Sequence, residues 1–242
     1  MKSFLIVIII ACTFIVSGCT YQGNLAPDPS DPYEKTNRGI YQFNEDIDKN
    51  LLEPVADSYD VIVPEFIQSS FINIVKNAEY PVTIVNLILQ GKPLESVESL
   101  FRFSINSTFG LLGIFDPASR VGLNSHDEDF AQTLGIWGAN SGSYIMTPLL
   151  GPYSVRHGIG DLIDNAFNPI SYIDNSVSRY GLKIIDKIQE RSDLSALEDE
   201  LYGSYDPYQY LRDSYLQNRE YKLNNGTIDD GDDFEEIDLD DF

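Results

Sequence analysis

A cysteine that follows two small residues is the first position at which the sequence predicts specific chemistry. A basic residue and an apolar run over 4–16 lead to the motif Val16-Ser17-Gly18-Cys19, an order typical of a secretory signal. The pattern aliphatic, small, small, cysteine matches the lipobox of bacterial lipoproteins, in which the thiol takes a diacylglyceryl group. We therefore predict that residues 1–18 are a cleaved lipoprotein signal peptide and that Cys19 is the lipidated first residue of the mature chain.

Two other interpretations of the N-terminus are an ordinary signal peptide with a chance cysteine and an uncleaved anchor. The apolar run is shorter than the about 20 residues that a spanning helix needs. Three acyl chains, palmitate among them, would anchor the protein stably, since two or more suffice. Thr20 follows the cysteine, whereas aspartate there favours inner-membrane retention under the usual Gram-negative sorting rule. We expect a lipid-anchored protein on the periplasmic side of the outer membrane, with residues 19–30 as lipidated N-terminus and tether.

Residue patterns that carry catalysis are missing from the rest of the sequence. It has no Gly-x-Ser-x-Gly motif and no phosphate-binding glycine loop. His126 and His157 lie far apart, and with no thiol besides Cys19 in the mature chain a zinc site would need carboxylates. The run 126–129 could bind a cation weakly or be a solvated polar loop. We predict no enzymatic activity, no metal and no cofactor.

The charge of the chain limits its partners. The formal net charge is -22, which argues against nucleic acid as a partner and against electrostatic adhesion to anionic lipid. Nine carboxylates and no basic residue fall within 225–242, and like charges at this density keep a chain extended. We predict an acidic disordered tail over 224–242, with cation binding or docking to a basic partner as alternatives.

Proline and glycine divide residues 31–223 into helical segments. Asp31-Pro32-Tyr33-Glu34 can cap and begin a helix, and apolar residues then recur at helical spacing. Similar patterns predict further helices at about 64–75, 93–105, 177–188, 194–201 and 207–223. Glycine, proline and aromatic residues crowd 135–160, which predicts ordered loops with short helical pieces. The expected fold is mainly α, one helical domain with Gly/Pro-rich ordered loops.

Residues 81–91 form an unusual segment, with proline at its start, glycine at its end and an apolar interior on nearly all sides. A helix of this kind is buried in protein or faces lipid, and at this length it cannot span a bilayer. The residues alone favour burial in the core, and a strand is also possible because Val and Ile are plentiful. The stretch 109–117 is apolar as well, and its two glycines permit tight turns or close backbone approach.

Motifs spread over residues 31–221 resemble the MlaA/VacJ family of outer-membrane lipoproteins. They occur in the family's order, and their number makes the resemblance specific. Where the family usually has glycine between Phe130 and Gln132, this chain has Ala131. The motifs include Asp31-Pro32-Tyr33-Glu34, Leu89-Gln90-Gly91, Arg102-Phe103, Asn106-Ser107-Thr108-Phe109-Gly110, Gln132-Thr133-Leu134-Gly135, Pro148-Leu149-Leu150-Gly151-Pro152 with Arg156, and Asn168-Pro169.

The resemblance implies a ring-like helical protein that is partly embedded in one membrane leaflet. It implies a role in outer-membrane lipid asymmetry: moving mislocalised phospholipid from the outer leaflet through an amphipathic channel towards a soluble periplasmic carrier, in association with a trimeric porin. It also shifts the expectation for the segment 81–90 from core to lipid. The side chains then expected to face lipid are Val82, Ile84, Val85, Leu87, Ile88 and Leu89.

Phospholipid transfer needs cationic groups for the phosphate and a pliable amphipathic path for the rest of the molecule. The candidate phosphate contacts are Arg102, Arg120 and Arg156, since a guanidinium binds phosphate bidentately. Each could instead pair with a structural carboxylate. The other candidate channel or headgroup contacts are Phe109, Gly110, Gly113 and Tyr144. Two functions compete with transport: a structural lipoprotein that scaffolds an assembly without moving lipid, and a phospholipid-modifying enzyme.

Overall fold

Helices make up most of the described chain, which confirms the mainly α fold class. The computed structural model describes residues 28–29, 31–175, 181, 184–185, 187–188, 191 and 198–224. The predicted signal peptide, Cys19, nearly all of the tether, the tail beyond residue 224 and most of the helix predicted at 177–188 lie outside the described residues. The elements are α1 (Glu34–Ile47), a π-helical turn (Asp48–Leu52), α2 (Glu53–Ile62), α3 (Glu65–Leu89), α4 (Pro93–Thr108), α5 (Pro117–Arg120), α6 (Phe130–Ile136), β1 (Tyr144–Thr147), β2 (Gly151–Ser154), α7 (Val155–Phe167), a 3-10 turn (Pro169–Tyr172), α8 (Glu198–Gly203) and α9 (Pro207–Leu223).

Helix α3 joins two segments that the sequence predicts as separate. It runs through Pro81 without ending, although an internal proline lacks the N–H that would bond to the residue four positions earlier. Its 25 residues extend about 37 Å at 1.5 Å per residue. Helix α4 packs along it, and this tertiary packing outweighs the local effect of the proline. Within the described ranges, no helix combines the length and apolar character that crossing a bilayer requires.

The end of α3 and the start of α4 lie where the sequence places them. Gly91 has a positive φ of 77°, its N–H donates to the carbonyl of Ile88, and the N–H of Lys92 donates to that of Leu87. These two bonds form a Schellman motif, which closes a helix at glycine. Pro93 then occupies the first turn of α4, where its missing N–H leaves no partner unsatisfied.

Helix α1 holds the edge of the β-hairpin through two asparagines seven residues apart. Asn37 donates to the carbonyl of Tyr144 and accepts from the N–H of Met146. Asn44 donates to the carbonyl of Thr147 and accepts from the N–H of Leu149. Seven residues are nearly two helical turns, so both side chains lie on one face and replace a third strand.

Candidate functional site

Arg102 is a buried structural residue, and its prediction as a phosphate contact is corrected. Only 3% of it is exposed. Its guanidinium donates to the hydroxyl of Tyr80 at 2.5 Å, to Asp116 at 2.8 Å, to Ser119 at 3.0 Å and to the carbonyl of Leu123. Burial lowers the pKa of Arg102, but these partners outweigh it and hold the pKa above the ordinary value. The side chain closes the turn after α4 and has no accessible face for a headgroup.

Arg156 differs from Arg102 because no carboxylate among the described residues pairs with it. The half-buried side chain donates through one Nη to the carbonyl of Ala139 at 2.7 Å, and its Nε finds no hydrogen-bond partner in the part of the chain that the structure describes. No described carboxylate forms an ion pair with it. Burial and the neighbouring Arg219 guanidinium lower the pKa of Arg156. An under-partnered guanidinium of this kind is suited to an anionic group. Arg120, the third candidate, is exposed at the end of α5.

The loop after α4 presents apolar side chains outward and packs its glycines inward. Phe109 is 80% exposed. A Cβ on Gly110 would overlap the carbonyl oxygens of Asn106 and Phe115, and one on Gly113 would lie 2.6 Å from the Cβ of Asn77. The expectation that Gly110 and Gly113 line a path is therefore corrected, since both serve close packing.

Tyr144 also belongs to the core rather than to an open path. It is fully buried on β1 with Met146 and Tyr208, and its ring makes edge-to-face contacts with Tyr208 and Tyr215. Burial raises the pKa of Tyr144 above its ordinary value. Its prediction as a channel or headgroup contact is corrected for this reason.

The apolar end of α3 is divided between protein and surface. Val82 and Leu87 are buried against other elements, so the expectation that they face lipid is corrected. Ile84 and Val85 are half-buried. Ile88 and Leu89 are exposed, Ile88 to 61%, and they remain able to contact lipid.

Helix α4 is inverted relative to a helix of a soluble domain. Its buried residues are polar or charged: Ser96, Ser99, Arg102 and Asn106. Large apolar side chains on its other face are at least half exposed: Leu94, Val97, Leu100 and Phe101. A surface helix normally places its apolar face toward the core, and large exposed apolar patches mark membrane or protein interaction sites. The spacing predicts the apolar face but not that this face points outward.

The same exposure recurs on α7 and on two loops. Val155, Ile159 and Leu162 follow one side of α7, and Leu162 is 75% exposed. Three exposed leucines hold backbone conformations that leucine rarely adopts, with φ of 54°, 61° and 66°. Such positions raise the energy of a non-glycine residue, and they concentrate at functional segments. The exposed residues are Val155, Ile159, Leu162 and Phe167 on α7, and Leu111, Leu112 and Leu149 on the loops.

The acidic run 126–129 is held by charged partners. His126 contacts Glu98 at 3.1 Å, Glu128 pairs with Lys92 at 2.9 Å, and Asp127 with Lys222 at 2.6 Å. Asp129 pairs with Arg219 at 2.6 Å. In the part of the chain that the structure describes, no group of three or more His, Cys, Asp or Glu could hold a metal ion. The run therefore connects α4, α6 and α9.

Comparison with known proteins adds an evolutionary context to these surfaces. The family model "MlaA lipoprotein" matches residues 29–222. The intermembrane phospholipid transport system lipoprotein MlaA of Escherichia coli is 30% identical over 220 residues, which are 89% of this chain and 87% of that one. Its namesake from Haemophilus influenzae is 29% identical over 237 residues, 94% of each chain. An uncharacterised protein of Rickettsia typhi is 35% identical over 192 residues, 78% of this chain and 76% of its own length.

A solved structure is similar as well. It is titled "Structural basis for maintenance of bacterial outer membrane lipid asymmetry", and it superposes with a TM-score of 0.75 at 31% identity, over 81% of this chain and 100% of that chain. The family match, the identities and the shared fold agree over nearly the whole described chain, and the chain belongs to the MlaA lipoprotein family.

Proposed function

We propose that this protein maintains outer-membrane lipid asymmetry by moving mislocalised phospholipid from the outer leaflet towards a soluble periplasmic lipid carrier. The observation that carries the proposal is the inverted helix α4, whose polar face is buried and whose apolar face is exposed. Hydrocarbon is the solvent that suits such a face, because burying apolar surface away from water contributes roughly 25 cal/mol per Å². The Escherichia coli and Haemophilus influenzae relatives are both named as lipoproteins of an intermembrane phospholipid transport system, which supports a transport function.

The lipid anchor and the apolar surface together give the location. Acyl chains on Cys19 hold the N-terminus at the periplasmic side of the outer membrane, and the exposed faces of α4 and α7 enter the adjacent leaflet. A ring-like body with an amphipathic channel would then give phospholipid a path to the carrier, and a trimeric porin would be the neighbouring protein.

Arg156 is the headgroup contact that we propose within this function. Among the described residues, its Nε has no hydrogen-bond partner and its guanidinium has no ion-pair partner, and it lies beside Arg219. Phosphate oxygens would complete its hydrogen bonds, because guanidinium and phosphate match in geometry and charge. Arg120 is a second, more exposed candidate.

To test this proposal, a strain that lacks the gene is complemented with wild type, Arg156→Glu or Lys76→Glu, and the three proteins are expressed at equal levels. Lys76 is an exposed cation on α3 and serves as the matched control. We expect the deletion to raise outer-leaflet phospholipid and to weaken the barrier, with wild type and Lys76→Glu restoring both and Arg156→Glu failing. Purified wild type should also carry phospholipid and release it to the carrier.

The outcomes separate the competing functions. A deletion strain with normal outer-leaflet phospholipid, together with a purified protein that transfers none, would leave scaffolding as the better description. A chemically altered phospholipid after incubation would identify an enzyme instead. Wild-type behaviour of Arg156→Glu would remove that residue from the mechanism while the transport function stands.

A further inference from the structure

A cavity of about 260 Å³ lies between α3, α6 and α7. Antiparallel packing of α6 and α7 forms one side of it: Gly160 fits against Ala131, and the N–H of Phe130 donates to Asp164 at 2.8 Å. A cavity of about 150 Å³ lined by Leu, Ile and Phe is known to stay dry and to bind benzene, so this volume is sufficient for a longer hydrocarbon segment. Its lining residues are Val82, Val85, Asn86, Leu89, Phe130, Ile163, Asp164 and Phe167.

The two polar residues in the wall are already partnered. Asn86 donates to Asp164 at 2.9 Å and to the carbonyl of Val82 at 3.1 Å, and it accepts from Thr133 at 2.8 Å. The other carboxylate oxygen of Asp164 accepts from Phe130. None of the described residues that line the cavity is cationic. A ligand inside would find apolar contacts and one carboxylate, which disfavours an anionic end and favours hydrocarbon.

The cavity adjoins the exposed apolar surface described above. Leu89 and Phe167 line it and are themselves exposed. Trp137 stands beside it, with its ring edge-to-face against Phe130 at 5.9 Å and its Nε1 donating to the carbonyl of Leu89 at 3.1 Å. Tryptophan with one apolar and one polar contact is typical of a membrane–water boundary.

We propose that this cavity holds one acyl chain of a membrane phospholipid, which enters with its methyl end first. The inference rests on the proposed function and adds a tail site to it. Arg156 precedes Ile163 by seven residues on α7, which places the two about 10 Å apart along the helix. A phosphate at Arg156 and a chain in the cavity can therefore belong to one phospholipid molecule. The residues that line the cavity do not include Phe109, Gly110, Gly113 or Tyr144, the positions at which the sequence predicts channel contacts.

The test is photo-crosslinking of the full-length lipoprotein in phosphatidylcholine vesicles that contain a phosphatidylethanolamine with a diazirine in its acyl chain. We expect mass spectrometry to find adducts on Phe130, Ile163 or Phe167. Ile163→Phe and Val85→Phe fill the cavity from two different helices and should lower these adducts at least fivefold. Leu162→Phe adds the same ring to the neighbouring, exposed position and should change them less than twofold. Helical circular dichroism and thermal unfolding identify any variant that fails to fold, and the wild-type adduct map stands without the variants.

Three results would overturn the proposal. The first is a wild-type map without adducts in the cavity, and the second is equal labelling of the filled variants and the Leu162→Phe control. The third is cavity occupancy by the protein's own anchor, which cells fed diazirine-palmitate would reveal as an internal crosslink from Cys19. The proposed function fails separately: a wild-type protein with cavity adducts that transfers no phospholipid would contradict transport and leave the tail site in place.

Discussion

Arg102 and Arg156 show at the residue scale how partners decide the role of one side-chain type. Arg102 donates hydrogen bonds to a hydroxyl, a carboxylate and a carbonyl, so its positive charge is already compensated within the protein. Arg156 meets one carbonyl and another guanidinium. The sequence identifies both as basic residues in apolar surroundings, and it cannot tell them apart because their partners come from distant segments.

Replacing Arg102 by methionine should destabilise the protein strongly. The change leaves Asp116 without its buried cation, and breaking a buried pair from one side costs about 3–5 kcal/mol. The matched change Arg120→Met, at an exposed position, should alter the free energy of unfolding by less than about 0.5 kcal/mol. Urea unfolding followed by circular dichroism measures both, and equal effects would show that the Arg102 contacts contribute little.

His157 should make the protein less stable in mild acid. Its ring stacks on Tyr153 and contacts the hydroxyl of Tyr215 at 2.9 Å. Burial, together with the nearby charge of Arg219, lowers its pKa below the ordinary 6.5, against the opposing effects of Asp161 and Asp129. Lys222 lowers it further. The unfolded chain then binds a proton that the folded chain does not, so this stability is complete above about pH 6.5 and is lost as the pH falls toward the folded pKa.

The variant His157→Phe keeps the stacked ring and removes the titration. Its unfolding free energy should be lower than that of wild type above about pH 6.5, because the hydroxyl of Tyr215 loses its hydrogen-bond partner on His157. It should change less between about pH 5.5 and pH 7.5 than that of wild type, in which one group contributes at most about 1.4 kcal/mol per pH unit. Urea unfolding at several pH values compares the slopes. Identical slopes would mean that His157 titrates alike in both states.

At the element scale, α4 shows what periodicity can and cannot predict. The spacing of Leu94, Val97 and Phe101 correctly indicates a helix with one apolar face. It does not say what that face meets, since core and hydrocarbon select the same residues. The buried face is recognisable only once Asn77, Tyr80 and Asp116 are seen to meet α4. Similarly, the glycines of 109–117 predict a turn, but not that leucines would occupy its left-handed positions.

On α4, replacing a buried serine should therefore destabilise the protein more than replacing the neighbouring exposed leucine, the reverse of what a helix of a soluble domain would show. Ser99 is fully buried and Leu100 half exposed. Ser99→Leu should lower the free energy of unfolding by about 1–3 kcal/mol through overpacking, whereas Leu100→Ser should change it by less than about 0.5 kcal/mol. Thermal and urea unfolding of the pair decide the matter, and a larger loss for Leu100→Ser would place the core on the other side of α4.

The contact of α6 with α7 depends on a glycine. A Cβ on Gly160 would lie 2.5 Å from the N of Ala131 and 2.7 Å from its Cβ, whereas one on Gly158 would meet nothing within 4 Å. Gly160→Ala should destabilise by about 1–3 kcal/mol, and Gly158→Ala in the same helix should stabilise by up to about 1 kcal/mol through helix propensity. Adding Ala131→Gly should not restore Gly160→Ala, because the nearest atom is backbone. Full restoration would show that the two helices can move apart freely.

For the whole molecule, charge and apolar surface have separate roles. The chain has 16 basic and 38 acidic residues, and the basic residues of α9 are used to close the fold. Arg219 pairs with Asp129, Lys222 with Asp127 and Arg212 with Asp28. These pairs join the beginning of the described chain, the 126–129 run and its last helix. Because these basic residues are paired, the rest of the surface is predominantly acidic, with exposed apolar faces.

Membrane binding should therefore survive loss of the acyl anchor and should not depend on electrostatic attraction. A chain beginning at Thr20, without acylation, should float with phosphatidylcholine vesicles because α4 and α7 still present apolar faces. Adding phosphatidylglycerol should weaken binding through repulsion of the net charge of -22, and raising NaCl from about 0.05 to 0.5 M should reverse that loss, since the screening length falls below about 10 Å. The double variant Leu100→Ser with Phe101→Ser should bind less at every salt concentration. Complete release of the unacylated chain into solution would mean that Cys19 alone holds the protein to the membrane and that these faces meet another protein.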